Sequence, residues 1–330
     1  MKIYNLLERY HKVSGVQSVL LNIHNSLKNV FPNAKIASFH PYSYVKEYLS
    51  IEKTDLFCIK SIRDLKDSVV ILHERGFCTK LVLLNRLLSL NIRIIYVHHS
   101  LLVGKRILTF FPDEIVGISD KVIDNLTNYF NVDKNRIIKI YNGIPDIVKQ
   151  ITINYPKQDV KILHVGRICS GKQQVEIVKR LSSKIDSRVH IDFMGTGDQY
   201  EELLELTKDS PNFNAIGFYP NVAEMIQKYD YVLLYSTIEG LPISLIEACM
   251  CGKPIICNDV GGNIEIGRVG KNAFVANDWD ELLKLLNELP NVSSNEYERM
   301  CHESRRIYED NFSIELFRDN YAKLINSPKR

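Results

Sequence analysis

The stretch Glu239-Gly240-Leu241-Pro242-Ile243-Ser244-Leu245-Ile246-Glu247 follows an apolar run, Asp230 to Tyr235, and leads into a segment that reads as helix as far as Met250. Strand, glycine turn and helix make one βα unit. Pro242 suits the first turn of a helix, where its missing N–H would have no intrahelical partner. Such a turn presents free backbone N–H groups and the positive end of a helix dipole, a ready seat for a phosphate or diphosphate. Two carboxylates are odd company for an anion unless they meet its neutral parts, such as sugar and ribose hydroxyls. Glu239 and Glu247, with the backbone of Gly240, Leu241, Pro242, Ile243 and Ser244, therefore read as a grip for a nucleotide-sugar. The plain alternative is an amphipathic helix with two glutamates on its wet side. Against it, Ile243, Leu245, Ile246, Ala248 and Met250 leave little of the helix polar, and burying an unpaired charge is costly.

The same βα rhythm extends in both directions, which is the pattern of parallel sheets. In the first half, strands are expected at Met1–Tyr4, Lys35–His40, Asp55–Ile59, Ser68–His73, Ile92–His98 and Glu114–Ile118, with helices near 15–30, 79–90 and 119–130. Asn142-Gly143-Ile144-Pro145 breaks the pattern, and the polar stretch Lys149–Gln158 is predicted to be the interdomain linker. The second half restarts with strands at Lys161–Val165, Val189–Met194, Phe213–Ile216, Tyr231–Tyr235, Pro254–Cys257 and Ala273–Ala276. Its helices are expected near 172–185, 199–208, 221–228, 242–251, 279–289, 295–310 and 313–326. A chain of 330 residues has room for two such α/β domains, each with its own core. Two doubly wound domains facing one another would put their strand ends on a shared cleft.

Other turns of the same kind carry chemistry. Gly166-Arg167-Ile168-Cys169-Ser170-Gly171-Lys172 follows the first strand of the second half. Its Arg167 and Lys172 are either two solvated surface cations or a pair able to stabilise charge on a departing diphosphate. Gly195-Thr196-Gly197 is half of a glycine-rich phosphate fingerprint, a plausible wall of a nucleotide pocket. Ser14-Gly15-Val16-Gln17 opens the first helix, where the backbone around Gly15 could approach a diphosphate. His98 and His99 end one strand and His73 another. These histidines either meet a sugar hydroxyl or the reaction centre, or are satisfied by neighbouring groups.

Several classes are set aside. Asp278-Trp279-Asp280 has a metal-binding look, but a helix N-cap with acids in its first turn explains it, and no other cluster has metal-ligand spacing. His164, inside a strand, reads as a core residue. The seven cysteines form no CxxC pair and read as reduced, mostly buried thiols of a cytoplasmic protein. The N-terminus lacks a signal-peptide apolar core, and no run of residues is long and apolar enough to span a bilayer. No Walker A loop or GxSxG elbow is present, and no complete GxGxxG precedes an acidic ribose residue, which disfavours an oxidoreductase. The net charge of +3 conceals a balance of +8 over residues 1–150 and −5 over 151–330. The basic half, with Lys105-Arg106 and Lys12, Lys28 and Lys35, suits either an anionic membrane leaflet or an anionic or soluble glycan; nothing points to nucleic acid.

Taken in order, these segments resemble glycosyltransferase family 4, retaining enzymes of the GT-B fold (group 1 glycosyl transferases). The resemblance runs through Ser14-Gly15-Val16-Gln17, His98-His99-Ser100, Ile118-Ser119, Asn142-Gly143-Ile144, Gly166-Arg167 with Lys172, and Gly195-Thr196-Gly197. It continues with Ile216-Gly217-Phe218, Glu239 to Glu247, and Gly261-Gly262 with Glu265. It implies an acceptor-binding domain at 1–148 joined by a C-terminal helix at 313–330, and a nucleotide-sugar domain at 149–312. Arg167 and Lys172 would hold the donor diphosphate, Glu239 the donor-sugar hydroxyls and Glu247 the ribose. His99 would be the histidine near the donor sugar, and His73 and His98 would lie on the acceptor side. The implied reaction moves a hexosyl group from a nucleotide-sugar, UDP-linked by preference, to a glycan or lipid-linked glycan. It would serve bacterial cell-surface polysaccharide synthesis without metal or other cofactor. Two rivals share the architecture: a nucleotide-sugar epimerase and a non-catalytic sugar-binding partner subunit. The sequence departs from the family's usual glycines at Ser14, Gln173 and Ala273, which puts local backbone geometry in question there.

Overall fold

In the computed structural model, residues 1–8, 15–156 and 159–329 are described. Ser14 and Lys12 lie outside them. The chain divides into two compact units: Met1–Pro145 with Ser313–Arg330, and Asp146–Phe312.

The first unit is built on β1 (Lys2–Leu6), β2 (Ala34–Ser38), β3 (Leu56–Cys58), β4 (Ser68–Leu72), β5 (Arg93–His98), β6 (Glu114–Gly117) and β7 (Ile137–Lys139). They form one sheet in the order β3-β2-β1-β4-β5-β6-β7, and every pairing is parallel. The central strands are mostly apolar, as in a parallel sheet covered on both faces; Ser68–Leu72 is buried at every position. The order reverses between β1 and β4, so the carboxyl ends of those strands flank the sheet's switch point, where α/β folds place ligands.

The second unit holds β8 (Val160–Val165), β9 (Val189–Met194), β10 (Phe213–Gly217), β11 (Tyr231–Leu234), β12 (Ile255–Cys257) and β13 (Ala273–Val275). Its sheet runs β10-β9-β8-β11-β12-β13, again all parallel, with the switch point between β8 and β11. Ile162, Ile191, Phe193, Leu233 and Ile256 make the centre of its core. His164 sits there too, fully buried in β8 with its ring 5.8 Å from that of Phe193.

Two arginines mark the limits of the units. The helix Ile314–Asn326 belongs to the first unit because Arg93 reaches its end: the guanidinium donates to the carbonyls of Leu324, Ile325 and Ser327 at 2.7–2.9 Å while pairing with Glu114. One arginine thus satisfies the orphan carbonyls of a helix C-terminus. The units part at Pro145/Asp146, ahead of the polar stretch at 149–158. Arg305 of the second unit binds the Asp146 carboxylate and the carbonyls of Val148 and Met250, so the chain joins that unit before its composition turns polar.

Candidate functional site

In the second unit the residues singled out from sequence gather at the switch point. The loop Gly166–Lys172 leaves β8, and the loop carrying Glu239 leaves β11, its immediate neighbour in the sheet. Parallel pairing of adjacent strands brings residues 67 apart in sequence to hydrogen-bond distance: Lys172 Nζ donates to Glu239 Oε1 at 2.5 Å. Glu239 is 8% exposed and Lys172 22% exposed, so the cation is the more accessible partner. Arg167 stands freer, half-exposed, with Asp198 at 3.6 Å as its ion-pair partner.

The first loop is held by its own turn. Ser170–Lys172 forms a single 3-10 turn, Gln173 takes a left-handed conformation with φ 60°, and the helix begins only at Gln174. The helix expected from 172 is therefore broken at its start. Gln173 accepts the positive φ that a glycine would adopt without cost. The fully buried Gln174 then reaches back, donating to the Arg167 carbonyl at 3.1 Å and accepting from the Cys169 N–H at 3.4 Å. Sequence reading missed Gln174 and Asp198 because each is a single polar residue whose role appears only once the loops meet.

Gly195 and Gly197 have a packing task in this structure. Their turn lies flat on the Gly166–Lys172 loop: Ile168 N–H donates to the Thr196 carbonyl at 3.0 Å and Gly166 N–H to that of Met194 at 3.0 Å. A Cβ on Gly195 would stand 2.0 Å from the Gly166 carbonyl oxygen, and one on Gly197 2.0 Å from that of Ile168. The glycines are required by backbone packed on backbone, and they support the loop that carries Arg167.

The helix after Glu239 spans Ile243–Met250, with Pro242 at the N-cap position, one residue earlier than its expected first-turn place. Its cap makes no side-chain hydrogen bond, which leaves the first-turn N–H groups of Ile243 and Ser244 for a ligand or water. Gly240 is tied down by its carbonyl, which accepts from Gly262 N–H at 2.8 Å. Leu241 is 4% exposed and packs inward. Glu247, one turn along the helix, has no hydrogen-bond or ion-pair partner for its carboxylate among the described residues. Burial alone pushes that carboxyl up to about 7.

This last value has a testable sign. A raised carboxyl pKa means that the native state holds the proton more tightly than the unfolded chain. Stability should therefore fall as pH rises from the ordinary 4.5 toward about 7, and level off above. Glu247→Gln removes the effect. The variant should be more stable than wild type at pH 8, by up to ~3 kcal/mol at ~1.4 kcal/mol per pKa unit, and by far less at pH 5. Urea midpoints at the two pH values check this; an equal difference at both would refute the unpaired carboxylate.

In the first unit the three histidines separate into distinct roles. His98 is fully buried against Phe111 and Phe130, and both ring nitrogens are engaged: Nδ1 with the Tyr96 hydroxyl at 3.1 Å, Nε2 with Asn125 Oδ1 at 3.1 Å. Burial brings it down to about 4, so it is neutral. His73 is 5% exposed and likewise fully engaged, Nε2 with Asn5 Oδ1 at 2.6 Å and Nδ1 with His99 Nε2 at 2.8 Å. Neither ring has a nitrogen left for a ligand, so the acceptor-side roles expected of His73 and His98 do not fit the geometry. His99, half-buried at the carboxyl end of β5, keeps Nδ1 without a partner among the described residues. Burial pushes it down to about 3. Gly15 opens the helix Gly15–Leu27, exposed and with nothing within 4 Å of where a Cβ would lie.

Asp278 acts as the cap that its sequence suggested, accepting from Glu281 N–H at 2.8 Å. Among the described residues no group of three or more His, Cys, Asp or Glu is placed to hold a metal ion.

Residues 148–306 match the family of glycosyl transferases group 1, which takes in nearly all of the second unit. Relatives include the O-antigen biosynthesis glycosyltransferase WbnH of Escherichia coli, 26% identical over 193 residues, 58% of this chain and 54% of that protein. The capsular polysaccharide biosynthesis glycosyltransferase CapH of Staphylococcus aureus is 24% identical over 206 residues, 58% of this chain and 57% of that one. The chain thus spans about half the length of these curated relatives. Among solved structures, Anabaena Alr3699/HepE in complex with UDP shares the fold at a TM-score of 0.81 and 16% identity, over 99% of this chain and all of that one. The lipopolysaccharide outer core galactosyltransferase WaaB does so at 0.79 and 19% identity, over 98% and 99% of the two chains. Two parallel-sheet Rossmann-like domains give the chain the GT-B fold, and most of the second of them is similar to the glycosyl transferases group 1.

Proposed function

We propose that the protein is a retaining hexosyltransferase of family 4 that takes its sugar from a UDP-sugar. The observation that carries this reading is the pairing of Lys172 with Glu239 at the second sheet's switch point, with Arg167 on the same loop and an uncapped helix N-terminus beside them. Cations and N–H groups suit a diphosphate; Glu239 and Glu247 suit hydroxyls. In the proposed step an acceptor hydroxyl attacks the anomeric carbon on the face that the phosphate leaves. The carbon–oxygen bond to the phosphate breaks, and the departing phosphate takes the acceptor's proton. Arg167, Lys172 and the helix N-terminus stabilise the charge that grows on it. Transfer by this route calls for no metal and no other cofactor.

The test is a melting screen against UDP, GDP, ADP and CMP, followed by UDP release from UDP-sugars with and without a glycan acceptor. UDP alone should raise the melting temperature clearly. Release should depend on acceptor, which an epimerase would not require, and should survive EDTA. No response to UDP and no turnover of any UDP-sugar would end the reading.

The acceptor is proposed to be a glycan, lipid-linked, in bacterial cell-surface polysaccharide synthesis, with the enzyme in the cytoplasm and docked on the anionic inner leaflet of the plasma membrane. One surface of the first unit favours this. Val103, Ile107 and Leu108 are 73%, 88% and 69% exposed, beside the exposed Lys105 and Arg106. The segment is pinned to the helix Arg75–Leu87, Arg75 donating to the Gly104 carbonyl at 3.0 Å and Thr79 to that of Leu108 at 3.3 Å. Apolar tips between cations match the boundary of an anionic bilayer. Lys28 and Lys35, expected to add to this charge, are engaged elsewhere, with Asp55 at 3.2 Å and the Thr54 carbonyl at 2.8 Å. No described helix is long and apolar enough to cross a membrane. Flotation with phosphatidylglycerol vesicles should succeed at low salt, weaken at high salt and fail for Ile107→Ser/Lys105→Gln/Arg106→Gln. No flotation at low salt would leave a soluble or anionic glycan as the acceptor.

A further inference from the structure

The hydrogen-bond chain behind His99 starts at a group of fixed polarity. The Leu20 carbonyl can only accept, so the Asn5 nitrogen at 2.7 Å must be Nδ2, and the Asn5 atom facing His73 must be the carbonyl oxygen. That oxygen, 2.6 Å from His73 Nε2, can only accept, which places the His73 proton on Nε2. Burial holds His73 well below its usual value, so the ring is neutral and its Nδ1 carries a lone pair. His99 Nε2, 2.8 Å from that lone pair, must then be the donor. His99 is neutral for the same reason, so its remaining nitrogen, Nδ1, is a bare acceptor. Polarity therefore propagates from a backbone carbonyl through Asn5 and His73 to a nitrogen at the carboxyl end of β5. The two ring planes lie within 23° of each other with centroids 5.1 Å apart, the near-coplanar arrangement of an edge-to-edge N–H···N bond, which fixes the plane in which that nitrogen lies.

We propose that His73 is a positioning residue that, held by Asn5, locks His99 in its Nε2–H tautomer and presents His99 Nδ1 as a hydrogen-bond acceptor for a hydroxyl of the sugar substrate. Only the identity of the hydroxyl rests on the function proposed above; the lock itself is a property of the empty protein. A site so wired cannot donate. It accepts from a sugar hydroxyl and is blind to a carbonyl or ether oxygen at the same place, so it selects for a hydroxyl in a way that a freely tautomerising histidine does not. The neighbouring His98, tied to Tyr96 and Asn125, takes no part in the chain.

The lock is read directly by two-bond ¹H–¹⁵N correlation spectra of the imidazole rings in the ¹⁵N-labelled full chain, with His99 assigned by its loss in His99→Gln. A free neutral imidazole averages its tautomers, and its two nitrogen shifts move toward each other; a locked ring shows the extremes. Wild-type His99 should show Nε2 fully protonated, with a slowly exchanging N–H, and Nδ1 fully bare. In His73→Leu, which removes the lone pair at similar volume, that N–H should exchange at least tenfold faster and the shifts should converge. His73→Asn, which returns an acceptor oxygen near the position of Nδ1, should restore the locked pattern. A wild-type His99 protonated on Nδ1, or a pattern identical in His73→Leu, overturns the proposal; the first readout decides even where His73→Leu does not fold. Titration with UDP-glucose then separates the two ideas. A locked ring whose Nδ1 resonance moves on binding supports both the lock and the sugar contact. A locked ring that ignores every UDP-sugar keeps the lock and removes the sugar hydroxyl.

Discussion

Lys172→Met should lower kcat by ~10²–10³, the usual loss for one donor aimed at developing anionic charge. Glu239 is the more buried of the pair, and Lys172 neutralises it at 2.5 Å. A diphosphate entering beside them would meet a lysine already held in place and still accessible on its outer side. Removing the lysine therefore does two things. It withdraws the cation from the leaving group, and it leaves the Glu239 carboxylate buried with no partner of opposite charge. The second effect should appear as lost stability, of the order of 1–3 kcal/mol, below the ~3–5 kcal/mol of a fully buried pair because Lys172 retains solvent contact. Glu239→Gln should separate the two effects, since it keeps the shape, relieves the unpaired charge and still loses the acceptor for sugar hydroxyls. Its turnover should be as poor as that of Lys172→Met while its melting temperature stays nearer wild type. Arg167→Ala, whose side chain is half-exposed, should lose activity without comparable loss of stability. Near-normal turnover in both Arg167→Ala and Glu239→Gln would overturn the assignment of this site.

The fold was legible where a period or a turn signal extends over several residues. The βα units of the second half announced themselves by apolar runs of strand length, turn residues and segments of helical length, and the expected strands lie within one or two residues of β8 to β13. What escaped was short or aperiodic. β7, Ile137–Lys139, is three residues long and takes its identity from pairing with β6. The helix Tyr42–Tyr48 buries only Val45, so it leaves no apolar stripe to read. Lone polar residues escaped for another reason. Asn5 interrupts the apolar strand β1, a signal that a buried polar group must have partners. Of those partners, His73 is placed by the pairing of β1 with β4, and Leu20 by the packing of the helix Gly15–Leu27. The switch points belong to the same class: strand order is a property of the assembled sheet, and no local pattern encodes it. Within the candidate site, residue types were readable from turn chemistry, while their pairings, Lys172 with Glu239 and His99 with His73, depend on which strands become neighbours.

Gly197→Ala should be among the most damaging single substitutions in the second unit, although alanine adds one methyl group. The new Cβ would lie 2.0 Å from the Ile168 carbonyl oxygen, 2.7 Å from its carbon and 2.9 Å from its nitrogen, all backbone atoms. A flexible side chain could swing aside; a main chain cannot, so the two loops must separate. Separation stretches the Ile168 to Thr196 hydrogen bond of 3.0 Å and the Gln199 to Ile168 bond of 3.3 Å together. Overpacking a well-filled interior by a methylene costs ~1–3 kcal/mol. Here two backbone hydrogen bonds go with it, so the expected loss is ~3 kcal/mol or more, a fall of roughly 6–12 °C in melting temperature for a domain of this size. Gly15→Ala is the matched control, since nothing lies within 4 Å of its Cβ and it opens a helix; it should be neutral or slightly stabilising. The functional consequence follows from what the turn supports. Parting the loops moves the segment that carries Arg167, so Gly197→Ala should lose activity even at temperatures where it remains folded. A phosphate-binding glycine would behave differently, weakening nucleotide binding while the empty protein melted as before. A Gly197→Ala protein that melts within 2 °C of wild type would restore that phosphate role and reject the packing one.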